Sequence, residues 1–130
     1  MSALMPYLLV GLGGFLGANA RYILAREIGA AVATRFPLGT FVINVTGSFL
    51  LGVLGTVVAA KLAPGSESLR LALGVGFLGA YTTFSTFEFE THALVEDGSW
   101  VLATSNMALS LVVGFVAVRL GIVLARGWLP

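Results

Sequence analysis

The chain reads as an all-α integral membrane protein with four transmembrane helices, and three observations carry that reading. It is 58% hydrophobic and only 10% charged over 130 residues, where a soluble domain carries about 25% charged residues. Its mean hydropathy is +0.99. A water-soluble chain of this length has too little core to bury so much apolar surface, so lipid is the solvent that fits. Four long uncharged runs follow one another, and each reaches the roughly 20 residues needed to cross a hydrocarbon core once its ends are counted. The same composition excludes other classes. With no cysteine, disulfides and thiolate metal sites are ruled out. His92 is the one histidine, which argues against a multi-histidine centre. A net charge of +1 without a basic run leaves nucleic acid no electrostatic footprint.

The first run, Leu4 to Ala20, meets Arg21 and continues apolar to Ala25. Pro37 to Ala60 is the second, with Pro37 suited to a helix start. Leu71 to Phe87 is the third and ends at Glu88 and Glu90; Gly98 to Val118 is the fourth. With ends included, the expected spans are 4–26, 37–60, 70–94 and 99–125, one domain over residues 1–130. The links are short and polar: Arg26 to Phe36, Lys61 to Arg70 with Pro64 inside it, and an acidic turn at Glu96 and Asp97. No cleavable signal is expected, because no basic region precedes Leu4.

Orientation follows the excess of Lys and Arg on the cytoplasmic side. One end carries Lys61, Arg70 and Arg126; the other carries Arg26 and Arg35, with Arg21 nearby. So small a bias barely favours either insertion. An antiparallel homodimer of oppositely inserted copies is therefore a plausible assembly, beside a single orientation set by the insertion machinery.

Seventeen of the 130 residues are glycine, nearly twice the typical share of about 7%. In membrane helices such an excess means close packing. Gly13, Gly17 and Arg21 share a face of the first helix, Thr40, Asn44, Ser48, Gly52 and Thr56 one of the second, and Asn106, Ser110 and Gly114 one of the fourth. Small residues in such rows are usually packing surfaces, and Ser or Thr often bonds its own helix backbone. Asn44 and Asn106 are different, because a side-chain amide at membrane depth needs partners and offers two donors to an anion.

The third run holds Gly74, Gly76 and Gly79, then Ala80-Tyr81-Thr82-Thr83-Phe84-Ser85-Thr86-Phe87. Glycines and four hydroxyl residues are poor helix formers, so the third helix is expected to break mid-membrane. A break survives there only where other groups satisfy the freed carbonyls, and two symmetry-related breaks offer carbonyls to a cation such as sodium. Phe84 and Phe87, three apart, share a face. Their ring edges are electropositive and suit an anion, although plain packing is the commoner role of such a pair. Arg21 serves either as a cationic mouth or as an interfacial anchor; Arg119, Trp100 and Trp128 read as anchors. No Ser-His-Asp set, carboxylate pair or phosphate-binding glycine loop stands out, so no enzyme is expected.

Three ordered motifs, over essentially the whole length, resemble the Fluc family of bacterial fluoride channels, also called CrcB proteins. Gly14-Phe15-Leu16-Gly17-Ala18-Asn19-Ala20-Arg21-Tyr22 is similar to the family's GxxGAxxRY, and Gly39-Thr40-Phe41-Val42-Ile43-Asn44-Val45-Thr46-Gly47-Ser48-Phe49 to its second-helix motif. Gly76-Phe77-Leu78-Gly79-Ala80-Tyr81-Thr82-Thr83-Phe84-Ser85-Thr86-Phe87 is similar to GFxGGxTTFSTF.

The resemblance implies a dual-topology antiparallel homodimer in the cell membrane of a prokaryote, with two pores that export fluoride passively and lower cytoplasmic toxicity. It implies a fluoride pathway along Phe84, Phe87, Asn44, Thr40 and Ser110, with Thr83 and Arg21 the further pathway residues of this reading. It also implies a structural sodium held by main-chain carbonyls of Gly79 and Thr82, and a glutamate matching Glu90. Ala80 departs from the usual glycine, and Asn106 and Gly114 stand where many members carry tyrosine and serine. A small multidrug transporter is the leading alternative, yet it needs a mid-membrane carboxylate in the first helix, and Glu27 lies beyond that helix's apolar run. Proton-coupled antiport and a non-conducting scaffold are the remaining readings.

Overall fold

The computed structural model describes residues 3–60 and 66–129; Lys61 and Pro64 lie outside the described residues. Everything regular within them is helical. Helix α1 (Met5–Ala31) starts with Pro6 in its first turn, where a missing N–H costs nothing. It outlasts its apolar run and carries Arg26 and Glu27, which pair with each other at 2.7 Å in the open. Helix α2 (Leu38–Ala60) follows Pro37, whose carbonyl accepts the Phe41 N–H at 3.0 Å.

The third run is built from pieces. A short α3 (Ser66–Leu69) leads into a wider π-helical stretch, Arg70–Leu78, then α4 (Gly79–Tyr81). The Gly79 N–H reaches back to the Gly74 carbonyl, five residues away. The chain is extended at Thr82 and Thr83, and α5 (Phe84–Glu96) resumes beyond them. The expected interruption is present; the π winding before it was not foreseen. Helix α6 (Trp100–Trp128) completes the chain. Among the described residues, three helices, α1, α2 and α6, are long and apolar enough to cross a membrane.

Backbone contacts at glycine hold the helices together. α1 lies along the π stretch and α4, and α2 lies along α6. Gly13 meets the Ala72 carbonyl and Gly17 the Phe77 carbonyl, so a methyl group at either would collide with backbone. Between α2 and α6 the contact is reciprocal: Gly52 meets the Val118 carbonyl and Gly121 the Phe49 carbonyl. Ile43, Leu78 and Tyr81 form a small buried cluster, while Phe15, Val101 and Phe115 face outward, as lipid permits.

At one end the α5–α6 turn is closed by Gly98 at φ 72°. Ser99 N–H donates to the Leu94 carbonyl and Gly98 N–H to that of Val95, the paired bonds of a Schellman cap. Arg35, just before α2, pairs with Asp97 of this turn at 3.3 Å. Gly17→Val should lower the thermal midpoint of the purified protein strongly, since overpacking costs about 1–3 kcal/mol even where side chains can yield. Gly114→Ala, whose nearest neighbour would be the Ser48 hydroxyl at 3.8 Å, should leave that midpoint nearly unchanged. Equal midpoints for the two variants would contradict backbone contact as the basis of the packing.

Candidate functional site

Extended backbone at Thr82 (φ −81°, ψ 157°) and Thr83 (φ −152°, ψ 113°) cuts the helical hydrogen-bond ladder. Such a cut leaves carbonyls open before it and N–H groups open after it. Asn44, on α2, closes part of the gap with one side chain. Its Oδ1 accepts the Thr83 N–H at 2.8 Å, and its Nδ2 donates to the Thr83 carbonyl at 3.0 Å. The Thr83 hydroxyl accepts the Thr86 N–H at 3.3 Å, a helix N-cap for α5, and donates to the Thr86 hydroxyl at 3.0 Å. Thr82 turns its own hydroxyl back to the Leu78 carbonyl at 3.0 Å. Asn44 therefore keeps one of its two amide hydrogens for another partner.

Beside the break lies a cavity of about 300 Å³ whose lining includes Asn44, Ser48, Gly79, Thr82, Thr83, Phe84, Phe87 and Ser110. The structure thus gathers from α2, α4, α5 and α6 most of the residues singled out in the sequence. Phe84 and Phe87 have ring centroids 5.7 Å apart and planes tilted by 42°. They differ in setting: Phe87 is 6% exposed, whereas Phe84 is 71% exposed and stands at the open side of the cavity.

Two of the expected residues lie apart. Thr40 is buried near the start of α2 and lines a second hollow of about 280 Å³ with Glu90. One carboxyl oxygen of Glu90, Oε2, is buried there without a hydrogen-bond partner. Arg21 is half-buried on α1 and, among the described residues, makes neither ion pair nor hydrogen bond. Ser48 and Thr56 bond the carbonyls four residues back, at 2.8 Å each. That is the self-satisfied behaviour common for hydroxyls in membrane helices.

Asn106 does not reach the cavity. It is 1% exposed and donates to the Thr91 hydroxyl at 2.8 Å, while Ser110 donates to its Oδ1 at 3.3 Å. Thr91 was missed in the sequence; its place four residues after Phe87 was the available signal. The Tyr81 and Thr46 hydroxyls, 2.8 Å apart, were also unforeseen. Asn44→Leu should destabilise the protein by about 2 kcal/mol or more, because it leaves a buried N–H and carbonyl open at about 1–3 kcal/mol each. A thermal midpoint equal to wild type would contradict the bracing role.

Comparison with known proteins places this sequence in a family. The family described as "CrcB-like protein, Camphor Resistance (CrcB)" matches residues 8–122, a stretch that runs from α1 into α6 and includes the break and its brace. A "Fluoride-specific ion channel FluC" of Solibacter usitatus is 48% identical over 122 residues, covering 94% of this chain and 99% of the relative. Proteins of the same name from Acidobacterium capsulatum and Prosthecochloris aestuarii are 50% and 44% identical over 122 residues each. They cover 94% and 93% of this chain, and 97% and 93% of their own lengths. Matched over most of its length by the family and by relatives of such identity, the chain belongs to the CrcB-like family.

Proposed function

We propose that the chain is the subunit of a fluoride-selective channel, not an enzyme, that lets fluoride leave the cell passively and so lowers its cytoplasmic toxicity. The observation that carries this reading is near-full-length identity to relatives named as fluoride-specific channels. The cavity at the helix break supplies a physical basis for it. Hydrogen fluoride crosses membranes, and the ion it releases in a near-neutral cytoplasm is trapped. An open path then drains fluoride outward, aided by a negative interior potential.

The chain works as one four-span domain of the cell membrane. Residues 66–96 make the remaining span from α3, the π stretch, α4 and α5. The Arg35–Asp97 pair supports this, since it joins the end of α5 to the start of α2; α5 therefore finishes at the height where α2 begins. The working unit is an antiparallel homodimer in the lipid bilayer. Exposed Phe84 and Gly79 at the open side of the cavity and the nearly balanced charges at the two ends support it. The small multidrug transporter reading finds no support in α1, whose one carboxylate, Glu27, is exposed and paired to Arg26.

Stripping water from fluoride is the main barrier. The remaining Asn44 amide hydrogen, the Ser110 hydroxyl and the Phe84 and Phe87 ring edges replace that water in steps, beside Thr83. Thr40 lines the path at the second hollow, and Arg21 draws anions toward its mouth. Conduction needs sites strong enough to admit the ion and weak enough to release it, which uncharged donors provide.

A structural sodium at the dimer centre fits the same break. Among the described residues, no turn or cap N–H is donated to the Gly79 or Thr82 carbonyl, and carbonyl oxygen suits a hard cation. The Gly79 and Thr82 carbonyls of two copies would hold the ion, which would supply positive charge between the two breaks.

Fluoride release from vesicles holding the purified protein, followed with a fluoride electrode and a potassium ionophore, tests the proposal. Rapid fluoride release without chloride release is expected; no release from verified dimers would overturn it. Phe84→Ile and Phe87→Ile should each slow release by roughly tenfold, equivalent to about 1.4 kcal/mol in the barrier, with the dimer intact. Unchanged rates would contradict the role of the ring edges.

A further inference from the structure

Phe87 and Ser110 line the same cavity from different helices, α5 and α6. What joins them lies behind the wall. The Thr91 hydroxyl donates to the Phe87 carbonyl at 2.7 Å. Its single proton is then spent, so toward Asn106 it can only accept, at 2.8 Å. That decides the direction of the Asn106 amide: Nδ2 faces Thr91 and Oδ1 faces Ser110. Oδ1 in turn takes the Ser110 proton, at 3.3 Å. A one-way relay therefore runs from Ser110 through Asn106 and Thr91 to the Phe87 carbonyl.

Two consequences follow from its polarity. Asn106 is 1% exposed, and a turned-over amide would set Oδ1 against a Thr91 oxygen whose one hydrogen is already given to Phe87. The relay thus ties the Ser110 hydroxyl to the Phe87 backbone. It also turns the Ser110 proton away from the cavity, held by a bond at the long end of the hydrogen-bond range.

Resting on the fluoride reading above, we propose that Asn106 and Thr91 are positioning residues that set ion selectivity from outside the path. They hold the Phe87–Ser110 gap at a width that suits fluoride and excludes the larger chloride. Between ions they park the Ser110 proton on Asn106. An arriving fluoride draws that proton over by rotation of the hydroxyl, and the proton returns to Asn106 when the ion moves on. No bond to hydrogen is broken; only the hydrogen-bond partner changes.

The test compares Thr91→Val, Thr91→Ser, Asn106→Leu and the double variant Thr91→Val with Asn106→Leu in the same vesicles. Thr91→Val exchanges a hydroxyl for a methyl of similar size and keeps the packing. Thr91→Val and Asn106→Leu should each slow fluoride release by about fivefold, the worth of one buried hydrogen bond of about 1 kcal/mol. Both should also admit chloride above the level of empty vesicles, which a loss of folded protein would not do. Thr91→Ser should restore wild-type rates and selectivity, and the double variant should be no worse than either single one, as members of one network behave. Wild-type fluoride and chloride behaviour in Thr91→Val, while Phe87→Ile still slows fluoride, would overturn the inference and leave the channel standing. Equal defects in Thr91→Val and Thr91→Ser would overturn it as well. A wild type that moves no fluoride removes the proposed function, and this inference with it.

Discussion

A backbone N–H and a carbonyl left open inside a membrane cost several kcal/mol each, and extended backbone at Thr83 would leave one of each. The Asn44 amide answers both, with bonds of 2.8 and 3.0 Å. Much else depends on that pairing. It fixes the register of α2 against the break, holds the N-cap of α5 in place, and sets Phe84 and Phe87 beside Ser110 around one cavity. A side chain that seemed available to bind an ion is first of all a piece of backbone structure. Its remaining hydrogen is what it can offer to anything else.

Lipid explains the economy of the rest. Apolar burial gains little when the surroundings are also apolar, so helices are held by close backbone approach at Gly13, Gly17, Gly52 and Gly121. The surface ion pairs at Arg26, Arg35 and Arg70 are more than half exposed and contribute little. The α2 hydroxyls of Ser48 and Thr56 satisfy themselves on their own helix. Asn106 instead has partners on two helices, and the Thr46 and Tyr81 hydroxyls also meet across helices.

Much of this was legible in the sequence, for physical reasons. Long uncharged runs foretold α1, α2 and α6, and the crowd of glycines and hydroxyls between Gly74 and Thr86 foretold the interruption of the third run. Asn44 stood out because an amide in an apolar run needs a partner. Which partner it takes was not readable, because its bond to Thr83 joins residues far apart in the chain. The π winding of Arg70–Leu78 had no counterpart in the run of apolar residues and glycines that foretold the break. Thr91 escaped notice because its role depends on Asn106, and Thr40 reads alike whether it faces the main cavity or, as found, a hollow shared with Glu90.

Amide hydrogen exchange resolved at Thr83 tests most directly whether Asn44 braces the break. In the wild type the Thr83 amide should exchange on the order of tenfold or more slowly than in Asn44→Leu, the factor expected for a buried hydrogen bond worth about 1–3 kcal/mol. Equally fast exchange in both proteins would mean that the break is held by something other than Asn44, and the cavity beside it would need a different origin.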